Sequence, residues 1–188
     1  GAGSGKLAAD ILTALQEHDA LPERYAILEV SADLQERQAE FLHAELPQLA
    51  SRIAWLDSPP RKHRGVIVAH EVMDALPVER FVKSEDGLEQ LRVTLRDGVL
   101  AMTRAPAPQR LAERVEAIEE ALGEALPVGY TSELSLGLDD WIATLSGSLD
   151  EGVAFLLDYG VTRREYFARD RADGWLRCYF RHHVHHDP

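Results

Sequence analysis

GAGSGK, residues 1 to 6, places Gly1, Gly3 and Gly5 directly ahead of an amphipathic stretch, and an acid, Glu29, closes the next apolar run one βα unit later. A nucleotide-binding loop needs glycine where the chain turns sharply and where backbone approaches a ligand closely, because a Cβ obstructs both. An acid at the next strand end can then accept hydrogen bonds from ribose hydroxyls. The spacing therefore predicts a loop-to-helix unit of an open α/β sheet.

Three ligand classes compete for such a loop. A phosphate-cradling G-x-x-x-x-G-K-[ST] loop would place its first glycine before residue 1 and its hydroxyl at Leu7, which has none. The dinucleotide fingerprint G-x-G-x-x-G fits Gly1 and Gly3 but puts Lys6 at the third glycine, where a large side chain spoils helix-to-strand packing. G-x-G-x-G is the loop of class I methyltransferases, whose cofactor, S-adenosylmethionine, carries no pyrophosphate. Alone, the trio also fits a glycine-rich turn that merely precedes a helix.

Further along, Leu7, Ile11, Leu12 and Leu15 line one face at helical spacing over Lys6 to about Glu17. YAILEVS reads as a buried strand, RIAWLD (Arg52–Asp57) as another, and GVIVAHEV (Gly65–Val72) as a third. Asp33 and Glu36 read as a capping box for a helix carrying Leu34, Phe41 and Leu42. In open α/β sheets the ligand crevice lies at the carboxyl ends of the strands, which places Glu29, Asp57, Glu71 and Asp74 on one rim. Val153–Leu157 is the last core strand and ends in Asp158-Tyr159-Gly160 at the same edge.

Between these, Val78–Lys83, Gln90–Arg96 and Val99–Thr103 predict antiparallel strands, with Asp97-Gly98 as the tight turn of the last pair. Leu111, Val115, Ile118 and Leu122 mark a helix whose acids Glu113, Glu116, Glu119 and Glu120 read as a solvated face. Trp141, Ile142, Leu145 and Leu149 mark another. The expected organisation is a Rossmann-like part over residues 1–77, an inserted hairpin and helical region over 78–150, and a return to the core sheet with a His/Arg-rich tail over 151–188. On this reading the first and last strands of the core sheet are missing from the chain.

Composition limits the partners. At 188 residues and 45% hydrophobic the chain can build an ordinary core, and 32 acidic against 20 basic residues argue against phosphate-dominated nucleic-acid binding. A basic partner suits that charge, as does simple solubility. Cys178 stands alone, which excludes an internal disulfide and fits a reducing cytosol, and no apolar run approaches the ~20 residues that span a bilayer.

Two constellations could carry chemistry. Glu71 and Asp74, three apart beyond a buried strand, suit a guanidinium acceptor, since paired carboxylates fix a planar cation by bidentate contacts. The competing reading has Asp74 capping the turn at Ala75–Pro77 and Glu71 taking a backbone or cofactor contact. Cys178, His182, His183, His185 and His186 are the densest soft-ligand cluster, but their spacing matches no standard zinc site, and a flexible basic loop with Arg177 and Arg181 is favoured over a metal centre.

The segments GAGSGKLAADIL (Gly1–Leu12), LEVS (Leu28–Ser31), VIVAHEVMDALPVERF (Val66–Phe81), LLDYGVTRREYF (Leu156–Phe167) and DGWLRCYFRHHVHHDP (Asp173–Pro188) carry a family resemblance. The chain resembles the MidA-like group of class I S-adenosylmethionine-dependent methyltransferases, whose mitochondrial member is a respiratory complex I assembly factor. His70 departs from the group, which often has Asn there. The resemblance implies a Rossmann-like sheet with an inserted substrate region, S-adenosylmethionine held by Gly1, Gly3, Gly5, Glu29 and Asp57, and Glu71 and Asp74 facing the acceptor. It further implies a bacterial, cytoplasmic enzyme that methylates a protein arginine, with a respiratory-complex subunit as partner; a homodimer would repair the expected gap in the sheet. The alternative is a non-catalytic assembly factor that keeps the fold and binds a partner through the insertion.

Overall fold

The computed structural model describes residues 1–180 and 183–185. The chain is α/β and divides into two compact units, Gly1–Ala75 with Asp139–Tyr159, and Leu76–Leu138 with Gly160–Pro188.

In the first unit, Gly5 takes a left-handed conformation (φ 87°) and turns the chain into helix α1 (Lys6–Glu17). A Cβ there would press on Phe41 and Leu42, so the glycine serves both the turn and the packing. Strand β1 (Tyr25–Leu28) leads to α2 (Ala32–Glu45), and β2 (Ile53–Leu56) pairs in parallel with β1. Ala8, Ala9 and Leu12 of α1 pack with Ile27, Leu42, Leu46, Leu49 and Ile53 to form this unit's core. The buried stripe of α1 is thus rotated from the expected one. The small Ala8 and Ala9 face inward, and Leu7 stays 39% exposed.

The expected capping box at Asp33 and Glu36 is not the one that forms. Ser31 is the N-cap of α2, its Oγ accepting the Leu34 amide at 3.3 Å, while Asp33 lies in the first turn and pairs with Arg37. The strand ends earlier than the apolar pattern suggested, which moves the cap two positions upstream. Strand β3 (His63–His70) pairs in parallel with β8 (Leu149–Leu157), a strand entered directly from α4 (Leu138–Ser148), so Leu149 begins a strand and does not extend the helix. Gly65 faces Gly152 in this ladder, and a Cβ on Gly152 would overlap the Gly65 carbonyl.

The second unit is built on a four-stranded antiparallel sheet in the order β6-β5-β4-β7, from β4 (Glu79–Ser84), β5 (Gly87–Arg96), β6 (Val99–Pro106) and β7 (Thr131–Leu134). Asp97 and Gly98 both have positive φ (52° and 80°), as a tight turn matched to strand twist requires. Helix α3 (Gln109–Leu122) buries Leu111 and Val115 against Phe81, Leu126 and Tyr130. Its Glu119 is not on a solvated face. It accepts the Leu126 amide at 2.8 Å and pairs with Lys83 at 2.9 Å, both side chains largely covered. The returning segment carries the short helix α5 (Arg163–Tyr166), closed by a Thr162–Glu165 capping box, and stacks Tyr166 on Trp175 beneath the Arg171 guanidinium.

Two short antiparallel strands, β9 (Cys178–Phe180) and β10 (His183–His185), stand where a flexible loop was expected. Arg181, His182 and His186 of the soft-ligand cluster lie outside the described residues. Among the described residues no group of three or more His, Cys, Asp or Glu could hold a metal ion, and no helix is long and apolar enough to cross a membrane.

Candidate active site

The parallel registers decide which acids meet. Leu28 is opposite Leu56 and His70 is opposite Leu157. The next residue along each strand is an acid, so Glu29 and Asp57 follow one ladder and Glu71 and Asp158 the other. Paired strands run about 4.8 Å apart, which sets the scale of these neighbours.

The glycine loop meets this rim. The Gly1 nitrogen donates to the His70 carbonyl at 3.0 Å, at the end of β3. Glu29, joined to the Gly3 carbonyl through Gln38, and the Glu71–Asp74 turn, which follows His70, therefore flank the loop. Gly3 sits at φ 53° with open space where a Cβ would stand, whereas Gly5, at φ 87°, packs against Phe41 and Leu42.

Glu29 is held by its surroundings. Its Oε1 accepts the Ser31 amide at 3.0 Å and its Oε2 accepts the Gln38 side-chain amide at 3.2 Å. The same Gln38 nitrogen donates to the Gly3 carbonyl at 2.8 Å, and Gln38 Oε1 accepts the Trp55 indole N–H at 3.0 Å. Fully buried Gln38 thus ties the loop, the β1 acid and β2 into one network. Each Glu29 oxygen keeps a lone pair for a further donor. Asp57, the residue after β2, is exposed, and among the described residues its carboxylate accepts no hydrogen bond.

Glu71 and Asp74 are both exposed, and neither carboxylate accepts a hydrogen bond from the described residues, so the turn-capping alternative for Asp74 does not form. Glu71 adopts φ 48°, an uncommon conformation for a residue with a Cβ, and such strain gathers at functional sites. Sequence reasoning singled out neither Gln38 nor Asp158 for the site. Asp158 reads only as the start of the Asp158-Tyr159-Gly160 segment that ends the last strand, and Gln38, a glutamine in a helix, carries no local signal.

A glycine loop opening α1, parallel strands and acids at their carboxyl ends define the class I methyltransferase fold. The family model described as "Putative S-adenosyl-L-methionine-dependent methyltransferase" matches residues 1–188, and the chain belongs to that family. Two solved structures of COG1565 superfamily proteins from Burkholderia thailandensis are similar over the whole chain. One, bound to S-adenosyl-homocysteine, is 38% identical with a TM-score of 0.88, and the other is 38% identical with a TM-score of 0.90. The chain covers 48% and 49% of those proteins, about half their length. No curated protein matches the chain.

Proposed function

We propose that this chain forms the cofactor-binding and acceptor-orienting part of a MidA-like S-adenosylmethionine-dependent methyltransferase that modifies a protein arginine in the bacterial cytoplasm. The observation that carries the reading is the set of hydrogen bonds around the glycine loop: Gln38 joins Glu29 to the Gly3 carbonyl, the Gly1 nitrogen meets the His70 carbonyl just ahead of Glu71, and Asp158 holds the Met73 and Asp74 amides.

The residues present fit the cofactor. Gly1, Gly3 and Gly5 offer backbone at close range to its methionine portion, Glu29 is preset to accept ribose hydroxyls, and Asp57 reaches the adenine side. When bound, S-adenosylmethionine supplies a methyl group on a positively charged sulfonium. The chain's own part is electrostatic and geometric: a rim of carboxylates favours cations, and in a site closed to water that attraction grows. Glu71 and Asp74 grip a guanidinium from two sides, hold one terminal nitrogen toward the methyl donor, and offer a carboxylate oxygen to the proton that nitrogen sheds.

A second reading, a partner-binding factor, draws on the β5–β6 hairpin. Its cross-strand pairs Val93–Met102 and Leu95–Leu100 leave all four side chains between 39% and 68% exposed. A respiratory-complex subunit is the partner class this reading proposes.

The test uses full-length protein, radiolabelled S-adenosylmethionine and an arginine-containing peptide, with the same peptide bearing lysine as control. Glu71→Gln and Asp74→Asn should each reduce transfer about 10- to 100-fold, the worth of one charge-assisted contact at ~1.5–3 kcal/mol, with cofactor affinity changed little. Label on the lysine control and equal turnover in both variants would overturn the arginine assignment. Absence of any transfer, with binding of a partner through the hairpin, would favour the second reading.

A further inference from the structure

We infer that Asp158 is a positioning residue, its carboxylate locking the Glu71–Asp74 turn in the shape that presents both acids to the acceptor. The inference rests on the acceptor role proposed for that pair. The last rung of the β3–β8 ladder is the Glu71 amide donating to the Leu157 carbonyl at 2.9 Å. Immediately after it, the left-handed Glu71 turns the chain across the end of β8. Two amides of that turn then converge on one oxygen: Met73 N–H reaches Asp158 Oδ2 at 2.8 Å and Asp74 N–H reaches it at 3.2 Å. The other oxygen, Oδ1, accepts the amide of the following residue, Tyr159, at 2.8 Å.

Both carboxylate oxygens are therefore engaged with backbone donors, from segments 84 and 85 positions away and from its own loop. Apart from the tight turn at Asp74–Ala75, Asp158 supplies the hydrogen bonds that tie this segment to the end of β8. Charge matters as well as shape: an anion among amide donors makes stronger bonds than a neutral acceptor, and the donors offset its repulsion of Glu71 and Asp74. Asparagine offers one oxygen and turns an N–H toward a backbone donor, so it keeps part of the clamp, and alanine keeps none.

The experiment compares full-length wild type with Asp158→Ala, Asp158→Asn, Glu71→Gln, Asp74→Asn and the double variant Glu71→Gln/Asp158→Ala. It measures thermal unfolding, S-adenosyl-homocysteine affinity by calorimetry, amide exchange at Met73 and Asp74, and transfer to the arginine peptide. Asp158→Ala should lower kcat 10-fold or more, leave ligand affinity within about 3-fold, and speed exchange at both amides, with Asp158→Asn between it and wild type. The double variant should lose less than the product of the two single losses, because Asp158 acts in part through Glu71. Losses that multiply in the double variant, or wild-type kcat and amide protection in Asp158→Ala while Glu71→Gln is impaired, would overturn the inference and leave the acceptor reading standing. Wild-type turnover in both Glu71→Gln and Asp74→Asn would overturn the acceptor reading itself.

Discussion

Gln38 shows how much a single buried polar residue can decide. It is fully covered, yet each of its polar atoms has a partner, and those partners belong to the glycine loop, to Glu29 and to Trp55. Replacing it with leucine fills the space but strands the Gly3 carbonyl, one Glu29 oxygen and the Trp55 indole N–H. Leaving buried groups unpaired costs about 1–3 kcal/mol each, so Gln38→Leu should lose at least ~2 kcal/mol in urea unfolding. It should also weaken S-adenosyl-homocysteine binding in calorimetry, because Glu29 is no longer held. Glu29 itself was legible in the sequence as an acid ending an apolar run. Its support was not, since a glutamine in a helix reads as surface until the helix is docked.

At the scale of elements, β3 and β8 meet through a pair of glycines. Gly65 and Gly152 face each other with φ near 145°, and the backbones approach so closely that a side chain on Gly152 has nowhere to go. Gly152→Ala should therefore destabilise the first unit by about 3 kcal/mol or more, combining a disfavoured backbone conformation with overpacking. Loss of amide protection along both strands is the measurement that checks it. Element types were largely readable: α1, the hairpin turn at Asp97-Gly98 and the strands before Glu29, Asp57 and Glu71 follow from period and turn chemistry. Helix faces and caps were less so. Leu7 turned outward because Ala8 and Ala9 allow the closer approach, and the cap of α2 fell on Ser31 because strand pairing, not the S/T/D pattern, fixed where β1 ends.

Across the whole molecule, both units bury phenols. In the first, burial holds Tyr25 above its ordinary pKa of 10.0. In the second, burial and then the Glu133 carboxylate raise Tyr130 and, much further, Tyr166, whose hydroxyl donates to the Glu133 carbonyl at 3.3 Å. A pKa raised on folding gives stability that is complete below the unfolded value and is lost as pH rises through the folded one. Urea unfolding between pH 8 and 11.5 should show stability falling once pH passes about 10. The fall should be shallower in Tyr166→Phe, which has no proton to lose; identical slopes would show that Tyr166 does not contribute.

The sequence by itself determined the local grammar of this protein: a glycine loop opening a helix, apolar runs of strand length, and an acid at the end of each. Those signals are local because backbone conformation and side-chain period act over a few residues. Only the tertiary structure decided that β3 pairs with β8, that Gln38 ties Glu29 to the glycine loop, that Asp158 accepts the Met73 and Asp74 amides, and that Glu119 turns inward to Lys83. Strand register joins residues as much as 87 positions apart, and no periodicity within either segment specifies its distant partner.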